Sequence, residues 1–201
     1  MSKAKKGTKE NPITTDDLAK VIADLEKPVE IKDAKIKDDF GIYSYEIMSG
    51  VGKGDLIKNR QGASIIHDDM KDAFEKLNVH LAIIDDAFKY SQIEIDDIND
   101  MHDHELTGHF YVSGLRVNGD DGNKSVILLG TKWISEGGNI SLETPKIKLD
   151  SQYKWVDDLK EAVDACINEV EQYMGGKCAP ADTNQLSLEL NENEFSDAAI
   201  V

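Results

Sequence analysis

The sequence predicts an α+β domain, an antiparallel sheet with helices packed on one face, followed by an acidic C-terminal tail. Three observations carry that expectation. Segments rich in β-branched and aromatic residues fall into two blocks, 29–66 and 106–149, broken by short turns. Two long stretches, 68–88 and 152–174, repeat apolar residues at spacings of three and four. Strands that come in runs, instead of alternating one by one with helices, favour antiparallel pairing with the helices set to one side. The alternative is an elaborated OB-like barrel, in which a helix sits between the third and fourth strands.

Residues 1–12 hold Lys, Gly and Ser without periodicity and read as a flexible basic arm. Thr14 or Thr15 caps a short helix, with Asp16 and Asp17 in its first turn and Leu18, Val21, Ile22 and Leu25 on one side. Pro28 ends it. Val29 to Lys37 and Phe40 to Met48 read as a hairpin broken at Asp38 and Asp39. Gly50 to Asp55 is a loop, and Ala63 to Ile66 a third short strand. Met70, Phe74, Leu77, Leu81, Ile84 and Phe88 form one apolar stripe, which predicts a single helix from Asp68 to Phe88. Glu94 to Glu105 is acidic and without pattern.

Leu106 to Val117 is the next strand, and Asn118 to Asn123 a strong turn. Ser125 to Ser135 is apolar on both faces at Val126 to Leu129, as an interior strand would be. Ile140 to Leu149 follows, with Pro145 arguing for an edge. The last helix, Gln152 to Met174, carries Val156, Leu159, Val163, Ile167, Val170 and Met174 on one side and stops at Gly175 and Gly176. The folded domain is thus 13–178, and 179–201 a tail.

Composition narrows the function classes. The 201 residues suffice for a core that needs neither disulfide nor metal. The net charge is −16. Residues 31–150 hold 14 basic and 22 acidic side chains, and residues 151–201 hold three and 11. Such a chain repels phosphate at long range, so tight non-specific nucleic-acid binding by the whole surface is not expected; a local basic groove is left, or an acidic tail that competes with nucleic acid for a basic partner. Cys166 and Cys178 have no CxxC spacing and read as unpaired thiols in a reducing compartment. The basic start, Met1 to Lys6, has no apolar run behind it, so no secretory signal is expected. No stretch reaches the ~18 apolar residues of a membrane span. The expected location is the cytoplasm of whichever cell the chain occupies.

Catalytic signatures are weak. In Gly50 to Gly54, Gly54 replaces the hydroxyl residue of a phosphate loop and Ile47 stands where its first Gly belongs, so the segment reads as a strand connection. His102, His104 and His109 are the densest imidazoles, but their spacing fits no metal motif; a solvated acidic loop is the expectation, with no metal and no cofactor. Asp96 to Asp100 lacks the Gly and the terminal Glu of a calcium loop. No nucleophile signature is present. The chain is read as non-catalytic.

Two features point to binding. Tyr43, Tyr45, Phe110, Tyr111 and Trp133 lie on predicted strands, and Lys53, Lys58, Arg60, Arg116, Lys124 and Lys132 are the basic residues that would accompany them. Aromatic residues on a sheet stack single-stranded bases, though they more often fill a core. The nucleic-acid face drawn from these is Tyr43, Tyr45, Lys53, Arg60, Arg116, Lys132 and Trp133. In the tail, Gln185, Leu186, Leu188 and Leu190 resemble the bacterial sliding-clamp-binding peptide, with Leu190 where Phe is preferred. Phe195 to Val201 is similar to the acidic tip of single-stranded-DNA-binding proteins, but ends Ala-Ala-Ile-Val instead of Pro-Phe.

Ile66 to Phe74 with Leu77 and His80 to Ala82, Leu129 to Lys132, Leu142 to Pro145 and the last helix together resemble uncharacterised early proteins of tailed phages and prophages from gut bacteria, over residues 29–190. That resemblance transfers no catalytic residue. It implies a phage-encoded early protein working near replication and recombination functions. Taken with the tail motif and the strand aromatics, the expectation is a non-catalytic accessory protein of phage DNA replication or recombination in the cytoplasm of the host cell, acting by protein binding and by binding single-stranded DNA, with a sliding clamp or another DNA-processing protein as partner. An acidic phage inhibitor of a host defence nuclease is the first alternative, and a structural or assembly protein the second. A contiguous acidic face on the folded domain would favour the inhibitor.

Overall fold

The computed structural model describes residues 28–180, apart from 95, 120 and 121. The arm, the helix expected over 14–25, the clamp-like motif Gln185, Leu186, Leu188 and Leu190, and the segment Phe195 to Val201 lie outside the described residues.

Three strands open the fold: β1 (Val29–Lys37), β2 (Phe40–Ile47) and β3 (Leu56–Ile65). Short helices α1 (Asp68–Glu75), α2 (Asn78–Ile84), α3 (Ala87–Tyr90) and α4 (Ile98–His102) follow, then a 3-10 turn, Thr107–His109. The second block is β4 (Phe110–Asn118), β5 (Ser125–Ile134), β6 (Gly138–Glu143) and β7 (Ile147–Lys148), closed by the long helix α5 (Val156–Met174). The seven strands form one antiparallel sheet in the order β3-β2-β1-β4-β5-β6, with β7 on the same side of β5 as β6. The class is α+β. The path runs open from β3 to β6, so the OB-like barrel is not formed.

Turn chemistry sets the hairpins. Asp38 and Asp39 have φ of 51° and 63°, the pair of positive values that matches a two-residue turn to strand twist. Pro145 cannot donate to the ladder, and it splits the edge into β6 and β7. β5 pairs on both sides, in line with its doubly apolar sequence.

Several boundaries differ from the sequence expectation, each for a tertiary reason. The stripe of 68–88 is buried as expected at Met70, Phe74, Leu77, Leu81 and Phe88. The helix itself is broken twice. At the first break the chain tightens, with Leu77 N–H donating to Phe74 O, and Asn78 turns its side chain to the sheet. Asn78 Oδ1 accepts the Val112 N–H at 2.8 Å, where a bulge between Val112 and Gly114 frees that donor. At the second break Asp86 takes a left-handed conformation, φ 58°. β3 starts at Leu56, not Ala63; Lys58 to Gln61 are exposed on an edge, so no burial pattern marks them. The acidic stretch hides α4, capped by Asp97 Oδ1 on Asn99 N–H at 2.9 Å. Residues 107–109 turn before β4 begins, and the last helix starts at Val156, four residues late. Its buried side also takes in Ala162, Cys166 and Tyr173. Gly176, with φ 105°, stops it as expected.

The helices of the described residues lie on one face. Tyr173 of α5 meets Tyr43 edge-on at 6.3 Å, and the α2 residue Leu81 presses on Gly130 of β5. Between the layers Ile31, Met70, Phe74, Leu115, Leu128 and Leu159 are buried. Asn78 pins the layers together, so Asn78→Leu leaves the buried Val112 N–H without a partner. A loss of about 1–3 kcal/mol is expected in urea unfolding; an unchanged midpoint would mean that Asn78 does not hold the layers in register.

Candidate functional site

Alternation along β4 and β5 decides which side chains face the helices. Val126, Leu128 and Gly130 point inward, opposite Val117, Leu115 and Val112. Ile127, Leu129, Thr131 and Trp133 therefore point outward, beside Arg116 and Tyr111 of β4. Register carries the outward set on to Asp33 and Lys35 of β1. Among the described residues no helix covers this second face.

The seven residues proposed from sequence as a nucleic-acid face are divided by the fold. Tyr43 and Tyr45 face the helices and are buried, 6.1 Å from one another, and so belong to the core. Period-two spacing marks a strand but does not say which side of it is buried. Arg60 lies across from Tyr43 on β3, and its Nη1 donates to the Tyr45 hydroxyl at 3.3 Å. Lys53 is exposed on the loop that runs into β3; no helix follows that loop, as a phosphate loop would need. Lys132 stands at the helical rim, 2.6 Å from Asp85 and 5.0 Å over the Phe110 ring. Arg116 and Trp133 alone share the helix-free face. Arg116 is 3.8 Å from Asp33 and 3.4 Å from Glu143. Trp133 is half-exposed and meets the His109 ring edge-on at 5.4 Å. Half-exposed Tyr111 is the outward neighbour on β4. Lys35, which the sequence pattern did not single out, joins this face through the β1–β4 register.

The three imidazoles do not converge. His102 borders a cleft, His104 Nδ1 accepts the Leu106 N–H at 3.1 Å and packs on Phe88, and His109 sits on Trp133. Among the described residues no group of three His, Cys, Asp or Glu is placed to hold a metal. Cys166 is buried with Sγ donating to Ala73 O at 3.1 Å, and burial pushes its thiol up to about 12, which removes it as a nucleophile at neutral pH.

A cleft of about 610 Å³ opens on the helical side between α1, α4 and α5. Asp72, Glu75, Asp103, Asp158 and Glu161 line it, with Lys76 as the accompanying cation. His80 also borders it, buried, with Nδ1 3.1 Å from the Tyr153 hydroxyl. Burial first, and the nearby His102 second, lower the His80 imidazole to about 4, so it is neutral at physiological pH.

Charge follows the layers. Residues 66–105 and 150–177, which build the helical side, hold 19 acidic and six basic side chains. Residues 29–65 and 106–149, which build the sheet, hold ten acidic and 11 basic. The fold thus gathers its negative charge on one side and leaves the sheet close to neutral.

No helix among the described residues is long and apolar enough to cross a membrane. Comparison with protein families, with curated proteins and with solved structures finds no match to this chain.

Proposed function

We propose that this chain is a non-catalytic accessory protein of phage DNA replication or recombination, working in the host cytoplasm by binding a protein partner and single-stranded DNA. The observation that carries the reading is the pairing of a near-neutral sheet, whose helix-free face bears Tyr111 and Trp133, with a helical side that carries most of the excess negative charge. A protein with two chemically distinct faces and a peptide-like tail suits bridging better than turnover. Gln185, Leu186, Leu188 and Leu190 are the proposed recruiting residues for a sliding clamp.

Affinity purification from an expressing host, at low and high salt, tests the recruitment. Removing residues 183–201 is expected to abolish capture of the clamp while the thermal midpoint stays unchanged. Undiminished clamp capture by the truncated chain would sink the role given to the tail.

One observation favours a second reading. The helical side, with 19 acidic against six basic residues, and the cleft whose five carboxylates form no ion pair among the described residues, suit an inhibitor that presents carboxylates where a nuclease expects phosphates. Capture of a basic nuclease, released by salt and indifferent to the truncation, would select that reading over the first.

A further inference from the structure

We infer that the helix-free face of the sheet seats single-stranded DNA, with Tyr111 and Trp133 as the stacking platforms and Lys35 and Arg116 as the phosphate contacts. The inference rests on the accessory-protein reading and gives its DNA-binding part a place and residues that differ from those the sequence pattern selects.

The geometry brings the rings together. Tyr111 of β4 stands opposite Thr131 of β5, and Trp133 is the next outward residue of β5, with His109 against it. Neighbouring strands lie ~4.8 Å apart, so these side chains form one patch at one end of the face. Tyr111 is 51% exposed and Trp133 49%. Two large rings left half in water on adjacent strands offer flat apolar surface to an unpaired base, and any base suits because each has a π-face. The rings of a closed duplex are stacked on each other and cannot use it.

Electrostatics chooses the occupant. A polyanion is repelled by the helical side, and much less by the sheet, where basic and acidic residues balance. Lys35 has no carboxylate within ion-pair distance among the described residues. Arg116 is shared between Asp33 and Glu143 at 3.8 and 3.4 Å, longer than tight charge-assisted contacts, so a phosphate oxygen can compete for it. Arg116 lies five residues along β4 from Tyr111, roughly 17 Å, which leaves room for backbone between the stacked bases and the cation.

The test is fluorescence anisotropy of a labelled homothymidylate strand titrated with the full chain at low salt, with a duplex as competitor. The single strand is expected to bind and the duplex to compete poorly. Trp133→Ala and Tyr111→Ala are each expected to weaken binding by roughly five- to a hundredfold, the range for one lost stack. Trp133→Phe is expected to keep most of the affinity, which separates stacking from folding. Tyr90→Ala, which removes a still more exposed ring on the helical side, is expected to change nothing. Lys35→Ala is expected to lower the salt slope by about one. No binding of the single strand, or equal affinity in Trp133→Ala, overturns the inference. So does a self-association that Trp133→Ala abolishes, because a second copy would then cover the face. Clamp capture through the tail without DNA binding removes this inference and leaves the accessory reading. DNA binding lost in Trp133→Ala with no protein captured does the reverse for recruitment.

Discussion

Acidification from pH 6.5 to 4 is expected to cost this fold about 3 kcal/mol through His80 alone. The ring is 2% exposed, fixed against the Tyr153 hydroxyl, and lowered to about 4 by burial and by His102. In the unfolded chain the same imidazole titrates near the ordinary 6.5. Above 6.5 both states are neutral at this position and pH has no purchase on it. Between 6.5 and 4 the unfolded chain takes up a proton that the folded one refuses, so stability falls with pH. Below about 4 both states are charged and the loss is complete. Equilibrium unfolding of the wild type and of His80→Gln across this window measures the effect. The wild type is expected to lose stability more steeply, by a difference close to the figure above. Parallel curves would mean that the imidazole is protonated inside the fold and that water reaches it through the cleft.

Gly130→Ala is expected to cost about 3 kcal/mol, the upper part of the overpacking range or beyond it. A methyl at this position would run into the Tyr111 carbonyl oxygen of the paired strand and come within 2.7 Å of Leu81 Cδ2. The side chain of Leu81 can swing away, but the β4 backbone cannot without giving up its ladder. The substitution therefore pushes β4 from β5 and forces Leu81 of α2 to repack. Thermal unfolding gives the magnitude. A drop below 1 kcal/mol would mean that the two layers sit more loosely than this contact implies. Because Tyr111 is the neighbour displaced, the same variant is also expected to disturb the outward patch.

Much of the architecture was legible because it rests on local chemistry. The Asp38-Asp39 turn, the edge position marked by Pro145, the Gly176 stop and the buried stripe from Met70 to Phe88 each follow from a residue's own preferences. The first break inside that stripe did not, since Asn78, the first residue of α2, turns its side chain to a bulged strand 34 residues away. Sidedness was equally hidden. Tyr43 and Trp133 both sit on β-type segments, yet one is core and the other is half in water, and only strand order and the position of α5 tell them apart. The candidate face was named in part, through Arg116 and Trp133. Lys35 reaches it only through a pairing between β1 and β4 that no local pattern encodes.

The division of charge between the layers has a practical consequence for measurement. A body negative on one side and neutral on the other is an electric dipole directed across its sheet. On a cationic surface, such as an amine-coated sensor or an anion-exchange bead, it adsorbs with the helices down. The sheet is then presented to solution on every molecule alike, so an immobilised sample reports selectively on that face. On an anionic surface it has no such footing. Comparing the two mounts separates partners of the sheet from partners of the helical side without altering a residue.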